Sequence, residues 1–402
     1  MKKLIIFIVI IYSSSYSQWL SQNSGTTSPL YGVSFINENT GWAVGTNGTI
    51  VKTINGGINW NLLNSGVSTW LQGIQFINSN TGFAVGQGGI IIKTTNGGDS
   101  WITVSNGMAS FFWSIRSIDL NTWITVGGSG VILKTIDSGT NWSILPSGTS
   151  NNLVDIDFID ASTGFVSGIS GTILRTTNGG NNWTSQVSGI SSSIYGISAI
   201  NSSIAYACSW SGILLKTING GVNWNLQTSG SSVDFWSIVF LDMNTGYTVG
   251  DAGIILRTTN GGENWVIQQS GVTSFLRRVI FTDYNTGSVV GGGGRILRTT
   301  NGGITSVNTL SSEVIRDYRL NQNYPNPFNP TTNIKFQIKE NTYSTLKVFD
   351  ALGSEKSTLV NEQLNPGTYE VEWDASNHPS GIYFYTLQAG KYIETKKMIL
   401  IK

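Results

Sequence analysis

A tandem repeat with a period of 41 residues constrains the fold of this chain more than any other feature of its sequence. Seven tryptophans keep this spacing: Trp19, Trp60, Trp101, Trp142, Trp183, Trp224 and Trp265. Seven glycines keep it as well: Gly48, Gly89, Gly130, Gly171, Gly212, Gly253 and Gly294. A strand-rich repeat of about 40 residues is typical of propeller blades. The sequence therefore predicts an all-β, seven-bladed β-propeller.

Each repeat predicts four short strands, which in the first repeat cover residues 30–36, 41–45, 49–53 and 60–63. Gly48 lies in the hairpin between the second and third strands, where a tight turn needs a positive φ. Ile50 and Val51 point to opposite faces of the third strand, yet both are apolar. A strand that is apolar on both faces is covered on both faces, as blades packed side by side require.

The repeats also predict how the ring closes. The strand that carries the tryptophan occurs once before the first full repeat, at residues 18–20. It is missing after the last repeat, where Ser306 stands in place of tryptophan. We expect the N-terminal strand to complete the seventh blade, which removes an open sheet edge. The propeller is predicted to cover residues 18–306.

Two motifs of the repeat carry a resemblance to known families. The turn at residues 135–142, Thr-Ile-Asp-Ser-Gly-Thr-Asn-Trp, resembles the Asp-box of bacterial neuraminidase (BNR) repeats. The unit Thr-Gly-Trp-Ala-Val-Gly at residues 40–45, with Gly48 and the Asn-Gly-Gly turn after it, resembles the propellers of photosystem II stability and assembly factors. This resemblance implies the propeller fold but no single function, since such propellers serve many roles.

The composition changes after residue 312. Residues 313–402 hold 20 of the 45 charged residues and five of the seven prolines, and alternating strands follow at 333–338 and 345–349. This pattern predicts a linker at residues 307–320 and a small C-terminal β-sandwich at 321–402. An accessory β-domain is one interpretation of this module.

Three segments of the module favour a more specific interpretation. Residues 324–330 read Tyr-Pro-Asn-Pro-Phe-Asn-Pro, residues 379–385 read Pro-Ser-Gly-Ile-Tyr-Phe-Tyr, and the chain ends in Lys-Lys-Met-Ile-Leu-Ile-Lys. Together they resemble the C-terminal sorting domain of type IX secretion cargo. The resemblance implies contact with the type IX (Por) secretion machinery, export across the outer membrane, and removal of the module with release or surface attachment.

The first seventeen residues predict a signal peptide. Lys2 and Lys3 precede an apolar run at residues 4–11, and small residues follow at 15–17, so we expect cleavage before Gln18. The apolar run is too short to span a bilayer. The mature chain is expected outside the cell or on the outer-membrane surface, without a transmembrane segment.

Charge and composition argue against several classes of function. Only 11% of the residues are charged and the formal net charge is +1, so nucleic acid is not an expected partner. The single histidine, His378, lies in the C-terminal module, which leaves the propeller without a histidine for a catalytic triad or a zinc site. We predict no catalytic residue, metal or cofactor, and we expect the single cysteine, Cys208, to be buried.

A glycoside hydrolase of the sialidase-like, Asp-box class is the alternative interpretation. A carboxylate pair could hydrolyse a glycoside. Sialidase-like chemistry needs an arginine cluster, a tyrosine and carboxylates that converge on the centre, and Arg277 and Arg278 are the dense basic pair of the propeller. Asp155 and Asp157 share one face of a first strand, and Asp251 lies on a turn. Each is a single departure from the repeat, which is where function is expected in a repeat ring.

Positions that vary between blades are the better candidates for recognition. One basic position is filled in every blade and is therefore interpreted as structural: Lys52, Lys93, Lys134, Arg175, Lys216, Arg257 and Arg298. One position near the start of the first strand varies widely: Tyr31, Gln72, Trp113, Val154, Tyr195, Trp236 and Arg277. Aromatic and arginine side chains suit protein or glycan contacts. The predicted ligand-binding residues are Tyr31, Trp113, Tyr195, Trp210, Trp236, Arg277 and Arg278.

Overall fold

The computed structural model describes residues 18–104, 106–303, 308–311, 317–376 and 378–402, without the side chains of residues 308–311 and 362–363. The predicted signal peptide lies outside the described residues. Contacts within the chain separate a compact unit, Trp19–Gly303, from a second one that contains Ile304–Lys402. Within the described ranges, no helix has the length and apolar character needed to cross a membrane.

The first unit contains seven four-stranded antiparallel sheets, and these are the predicted blades. The first strands span Leu30–Phe35, Leu71–Phe76, Phe112–Ser117, Leu153–Phe158, Ile194–Ala199, Phe235–Phe240 and Leu276–Phe281. The second strands span Gly41–Gly45, Gly82–Gly86, Trp123–Gly127, Gly164–Gly168, Ala205–Ser209, Gly246–Gly250 and Gly287–Gly291. The third strands span Ile50–Thr53, Ile91–Thr94, Ile132–Thr135, Thr172–Thr176, Ile213–Thr217, Ile255–Thr258 and Arg295–Thr299. The fourth strands of blades 1 to 6 span Asn61–Leu63, Ile102–Thr103, Ser143–Leu145, Thr184–Val187, Asn225–Thr228 and Val266–Gln268.

The N-terminal strand closes the ring, as the sequence predicted. Leu20–Gln22 pairs antiparallel with the third strand of blade 7, with Leu20 opposite Arg298. The first strands of neighbouring blades contact one another around the ring, and that of blade 7 contacts that of blade 1. The first strands therefore line a central channel, which begins where these strands begin and ends where they end.

The turns of each repeat are built by local hydrogen bonds. In blade 1 the Gly57 N–H donates to Thr53 Oγ1 at 2.8 Å, and the Asn59 N–H donates to Asn55 Oδ1 at 3.0 Å. Gly48 has the predicted positive φ of 65°, and a Cβ there would lie 1.9 Å from the Val67 carbonyl oxygen. In five blades the turn before the third strand contains a short 3-10 helix: Thr46–Gly48, Gln87–Gly89, Gly128–Gly130, Asp251–Gly253 and Gly292–Gly294.

The cores of the propeller lie between adjacent blades. Ile50 packs with residues of blade 2, whereas Val51 packs with Val290 and Ile296 of blade 7, which confirms that the third strand is covered on both faces. The repeated tryptophans meet an aromatic ring edge-on, as Trp60 meets Phe35 at 5.8 Å between centroids. Burial of this kind stabilises a propeller by roughly 25 cal/mol per Å² of apolar surface. Cys208 is fully buried in a second strand, as predicted.

The C-terminal unit contains two four-stranded antiparallel sheets around one core. The first sheet has the order Asn308–Ser311, Gly367–Asp374, Thr331–Ile338 and Arg319–Leu320. The second has the order Glu355–Leu364, Thr342–Asp350, Gly381–Ala389 and Tyr392–Leu400. Two short strands of the first sheet thus fall within the range predicted as linker. His378 is half-buried, with its ring 5.5 Å from that of Trp373.

Candidate functional site

The variable position of the repeat is a β-bulge in every blade. The register of the first and second strands shifts across Tyr31, Gln72, Trp113, Val154, Tyr195, Trp236 and Arg277, so each of these residues is the extra one. The extra residue of a bulge is left out of the pairing between the two strands, so its side chain points in a different direction from those of its neighbours. We call these seven residues the bulge ring. They lie near the start of the first strands, as the sequence predicted.

Arg277 occupies the centre of the channel mouth. Its guanidinium carbon lies 4.3 Å from the ring centroid of Trp236, 5.5 Å from that of Tyr195 and 5.9 Å from that of Trp113. Partial desolvation makes such cation–π contacts stronger than they are in water. Burial lowers the pKa of Arg277 to about 10, so the group stays charged at neutral pH. The cavity left at this level is about 30 Å³, which is space for little more than a water molecule.

Further aromatic side chains extend the mouth on both sides of Arg277. Trp210 is 38% exposed and stacks on Tyr195 at 5.3 Å. On the other side, Tyr31 contacts Trp70 at 6.0 Å, and Trp70 is 44% exposed. The Trp236 indole N–H donates to Asp251 Oδ1 at 2.6 Å. The turns between second and third strands therefore share a face with the bulge ring.

Arg278 spans the channel one level below Arg277. Its Nη1 lies 2.9 Å from Oδ2 of Asp155, which belongs to blade 4 on the far side of the ring. Burial alone would raise the pKa of Asp155, but the Arg278 and Arg116 guanidiniums hold it below its usual value. Arg278 thus faces the channel interior as part of an ion pair, whereas the other predicted site residues meet at the mouth.

The carboxylates considered for glycoside hydrolysis join neighbouring blades. The Ala199 N–H donates to Asp157 Oδ2 at 2.9 Å, and the Ile197 N–H donates to Asp155 Oδ2 at 3.3 Å. In other blades a serine accepts the equivalent hydrogen bond from the next blade. The Phe76 N–H of blade 2, for example, donates to Ser34 Oγ of blade 1 at 3.0 Å. These aspartates therefore occupy positions at which side chains accept hydrogen bonds from the first strand of the next blade.

The basic ring also joins neighbouring blades, which confirms its structural interpretation. Several of its side chains donate to carbonyl oxygens of the next blade: Lys93 to Ser138 (2.6 Å), Lys134 to Gly179 (2.7 Å), Arg175 to Ser202 (3.1 Å), Lys216 to Gly261 (2.8 Å) and Arg298 to Glu38. Charged groups of this ring also lie over aromatic rings, as Lys52 Nζ lies 5.6 Å from the centroid of Trp42.

Arg116 is the channel residue that sequence reasoning missed. Its Nε lies 3.6 Å from Asp157 Oδ1, and its side chain is 26% exposed. Burial raises the pKa of Asp157 more than Arg116 lowers it. Arg116 lies one blade before Asp157 and 41 residues earlier in the repeat, so aligning the repeats would have paired the two. Across the described ranges, no cluster of three histidine, cysteine or acidic side chains could hold a metal ion.

Comparisons with known proteins agree with this architecture. A family model described as photosynthesis system II assembly factor YCF48 matches residues 11–150 and 142–225, which together span more than half of the chain. A model described as a secretion system C-terminal sorting domain matches residues 322–402. The second match indicates export through the type IX secretion system to the cell surface or the extracellular space. No curated protein sequence matches the chain.

Three solved structures share the propeller fold. YCF48 bound to D1 peptide has 22% identity and a TM-score of 0.63, and the alignment covers 71% of this chain and 98% of that one. YCF48 from Cyanidioschyzon merolae has 20% identity and a TM-score of 0.61, with coverages of 70% and 98%. The WD40 propeller domain of Doa1 has 10% identity and a TM-score of 0.59, with coverages of 70% and 97%.

Proposed function

The chain belongs to the family of the photosynthesis system II assembly factor YCF48, and from this premise we propose that it is an exported, non-catalytic binding protein. Its propeller recognises a segment of a partner protein outside the cell. The sorting domain argues against a role in photosynthetic assembly, because it directs the chain out of the cell. The binding surface is the channel mouth, formed by Tyr31, Trp113, Tyr195, Trp236 and Arg277, with Trp210 beside them.

The observation that carries this proposal is the hydrogen-bonding state of Arg277. Among the described residues its guanidinium has aromatic contacts but no carboxylate or carbonyl acceptor. The buried indole N–H of Trp113 likewise has no acceptor in the described part of the chain. Unpaired donors in a desolvated site are costly, and a ligand with acceptor oxygens removes that cost. A peptide offers such oxygens along its whole backbone.

The shape of the mouth also favours a protein segment. The space beside Arg277 is too small to enclose a sugar ring, so the partner must lie across the aromatic surface. Half-buried tryptophan, tyrosine and arginine are the side chains that most often anchor protein interfaces. A relative in the family, YCF48, has been solved with a D1 peptide bound, which supports a peptide ligand for this propeller as well.

The hydrogen bonds of Asp155 and Asp157 support a non-catalytic role. Both carboxylates accept from backbone N–H groups of blade 5, and both contact an arginine. A general acid or nucleophile would have to be free to meet a substrate. We expect the exported protein to release no fluorophore from a panel of 4-methylumbelliferyl glycosides, including the sialoside. Turnover that is lost in Asp155→Asn would overturn the non-catalytic part of the proposal.

Site-specific photo-cross-linking in the native cells tests the binding surface. A benzophenone amino acid replaces Trp210, and in a matched control it replaces Leu226, which is 66% exposed on the fourth strand of the same blade. We expect a protein adduct from position 210 alone. A synthetic peptide of the cross-linked segment should then bind the full exported chain and lose about 30-fold in affinity with Trp236→Ala. Adducts from both positions, or unchanged affinity in Trp236→Ala, would contradict the proposal.

A further inference from the structure

A second cavity lies at the end of the channel opposite to the mouth. Its volume is about 380 Å³, and it is lined by the later residues of the first strands of blades 4 to 7, together with Arg116. Small-ligand sites usually measure about 300–1,000 Å³. The mouth cavity of about 30 Å³ falls far below that range. We call the larger space the lower cavity, and Arg116 and Arg278 border both spaces.

The lower cavity combines guanidinium groups with apolar walls. Arg116 and Arg278 supply the positive groups, and Ile159, Ile200 and Val239 supply apolar lining. Arg278 uses Nη1 for its ion pair with Asp155. Within the described residues, Arg116 has one acidic contact, which joins its Nε to Asp157 at 3.6 Å. A guanidinium carries five N–H donors, so both arginines retain donors for a ligand.

The charge balance of the channel favours an anion. The seven first strands carry three arginines and two aspartates, which leaves one excess positive charge. Asp155 is satisfied by Arg278, Ser114 and a backbone N–H. Burial raises the pKa of Asp157, so this carboxylate is protonated more easily than that of an ordinary aspartate. The lining of the lower cavity itself holds the two guanidiniums of Arg116 and Arg278 and the one carboxylate of Asp157, so it carries one more positive group than negative groups.

We propose that the lower cavity binds a small organic anion, with its carboxylate on Arg116 and Arg278 and its apolar body against Ile159, Ile200 and Val239. Arginine recognises carboxylates through two parallel N–H bonds, which adds direction to the attraction of charge. The apolar walls select an acid with a hydrocarbon body over inorganic anions, because burying that body contributes roughly 25 cal/mol per Å². This site shares Arg116 and Arg278 with the mouth cavity, but its apolar lining is its own and it does not depend on the partner proposed above.

Calorimetric titration of the full exported chain tests the proposal with octanoate, octylammonium and inorganic phosphate as probes. We expect octanoate to bind, and octylammonium and phosphate to bind at least tenfold more weakly. Arg116→Gln should weaken octanoate at least about tenfold, since a charge-assisted contact is lost. Arg295→Gln is the matched control, because it removes the same charge from an exposed residue outside the channel.

Further variants keep the test decisive if Arg116→Gln unfolds. Val239→Phe retains every charge but reduces the space available, so it should also weaken octanoate. Trp236→Ala should leave octanoate affinity unchanged, which separates this site from the mouth. The proposal is overturned if the wild-type chain does not bind octanoate, if phosphate binds as tightly, or if folded Arg116→Gln and Val239→Phe both bind it at full strength.

Discussion

Removal of residues 18–23 is expected to open the ring and destabilise the propeller. This segment holds Trp19, which is fully buried and meets Phe281 edge-on at 5.8 Å between centroids. Loss of a buried tryptophan side chain costs about 3–5 kcal/mol. Gln22 adds two contacts to blade 1, because its Nε2 donates to the Gly56 carbonyl at 3.0 Å and its Oε1 accepts from the Trp60 indole at 3.1 Å.

These contacts set the expected size of the effect. At about 1 kcal/mol for each hydrogen bond, the loss reaches roughly 5 kcal/mol before the strand pairing is counted. For domains of about 150–250 residues, 1 kcal/mol corresponds to about 2–4 °C in Tm, so the melting temperature should fall by at least about 10 °C. Circular dichroism melts of the chain with and without residues 18–23 measure this difference.

Point variants control for the change in chain length. The double variant Trp19→Ala, Gln22→Ala keeps all six residues and should lose most of the same stability. Leu20→Ala alters a side chain that is 62% exposed on the same strand, and it should change the free energy of unfolding by less than about 0.5 kcal/mol. Equal melting temperatures for the intact and shortened chains would refute the closure argument.

Three further predictions concern binding, pH and export. Once a partner peptide is known, Trp236→Ala and Arg277→Ala should each weaken it by about 2 kcal/mol or more in calorimetry, whereas Lys52→Ala should leave it unchanged; the reverse order would move the site away from the mouth. The pKa of Asp155 is lower in the folded chain than its value near 3.8 in the unfolded chain, so its ionised carboxylate stabilises the fold above that pH, and this stability is lost as pH falls through the folded-state pKa. Between pH 5 and 3 the melting temperature of Asp155→Asn should therefore fall less than that of the wild-type chain. An equal loss in both would show that this carboxylate is not the group responsible. Mass spectrometry of medium and surface fractions should find a mature start at Gln18 and a chain without its C-terminal module, and an intact tail in the cytoplasm would contradict export.

The sequence alone determined the blades, their number and the way they close. The period of 41 residues is carried by turns and tryptophans, whose conformations depend on residues a few positions away. The turn at residues 53–57 is held by hydrogen bonds of its own side chains, and the glycine at the position of Gly48 has a positive φ in every blade. Such local rules are repeated seven times, so a single chain shows them as clearly as an alignment would. The shift of the tryptophan strand by one repeat then identifies the closing strand.

Only the tertiary structure decided which side chains meet in the channel. Arg278 and Asp155 are 123 positions apart, and their ion pair depends on the placement of blades 4 and 7 across the ring. The bulge at Arg277 turns its side chain into the mouth; the repeat marks this position, but the shift in strand register there is visible only in the structure. The hydrogen bonds of Asp157 and the lower cavity depend likewise on how neighbouring blades pack. Residues repeated in every blade are set by local geometry, whereas the chemistry of the channel arises from residues that differ between blades and meet only when the ring closes.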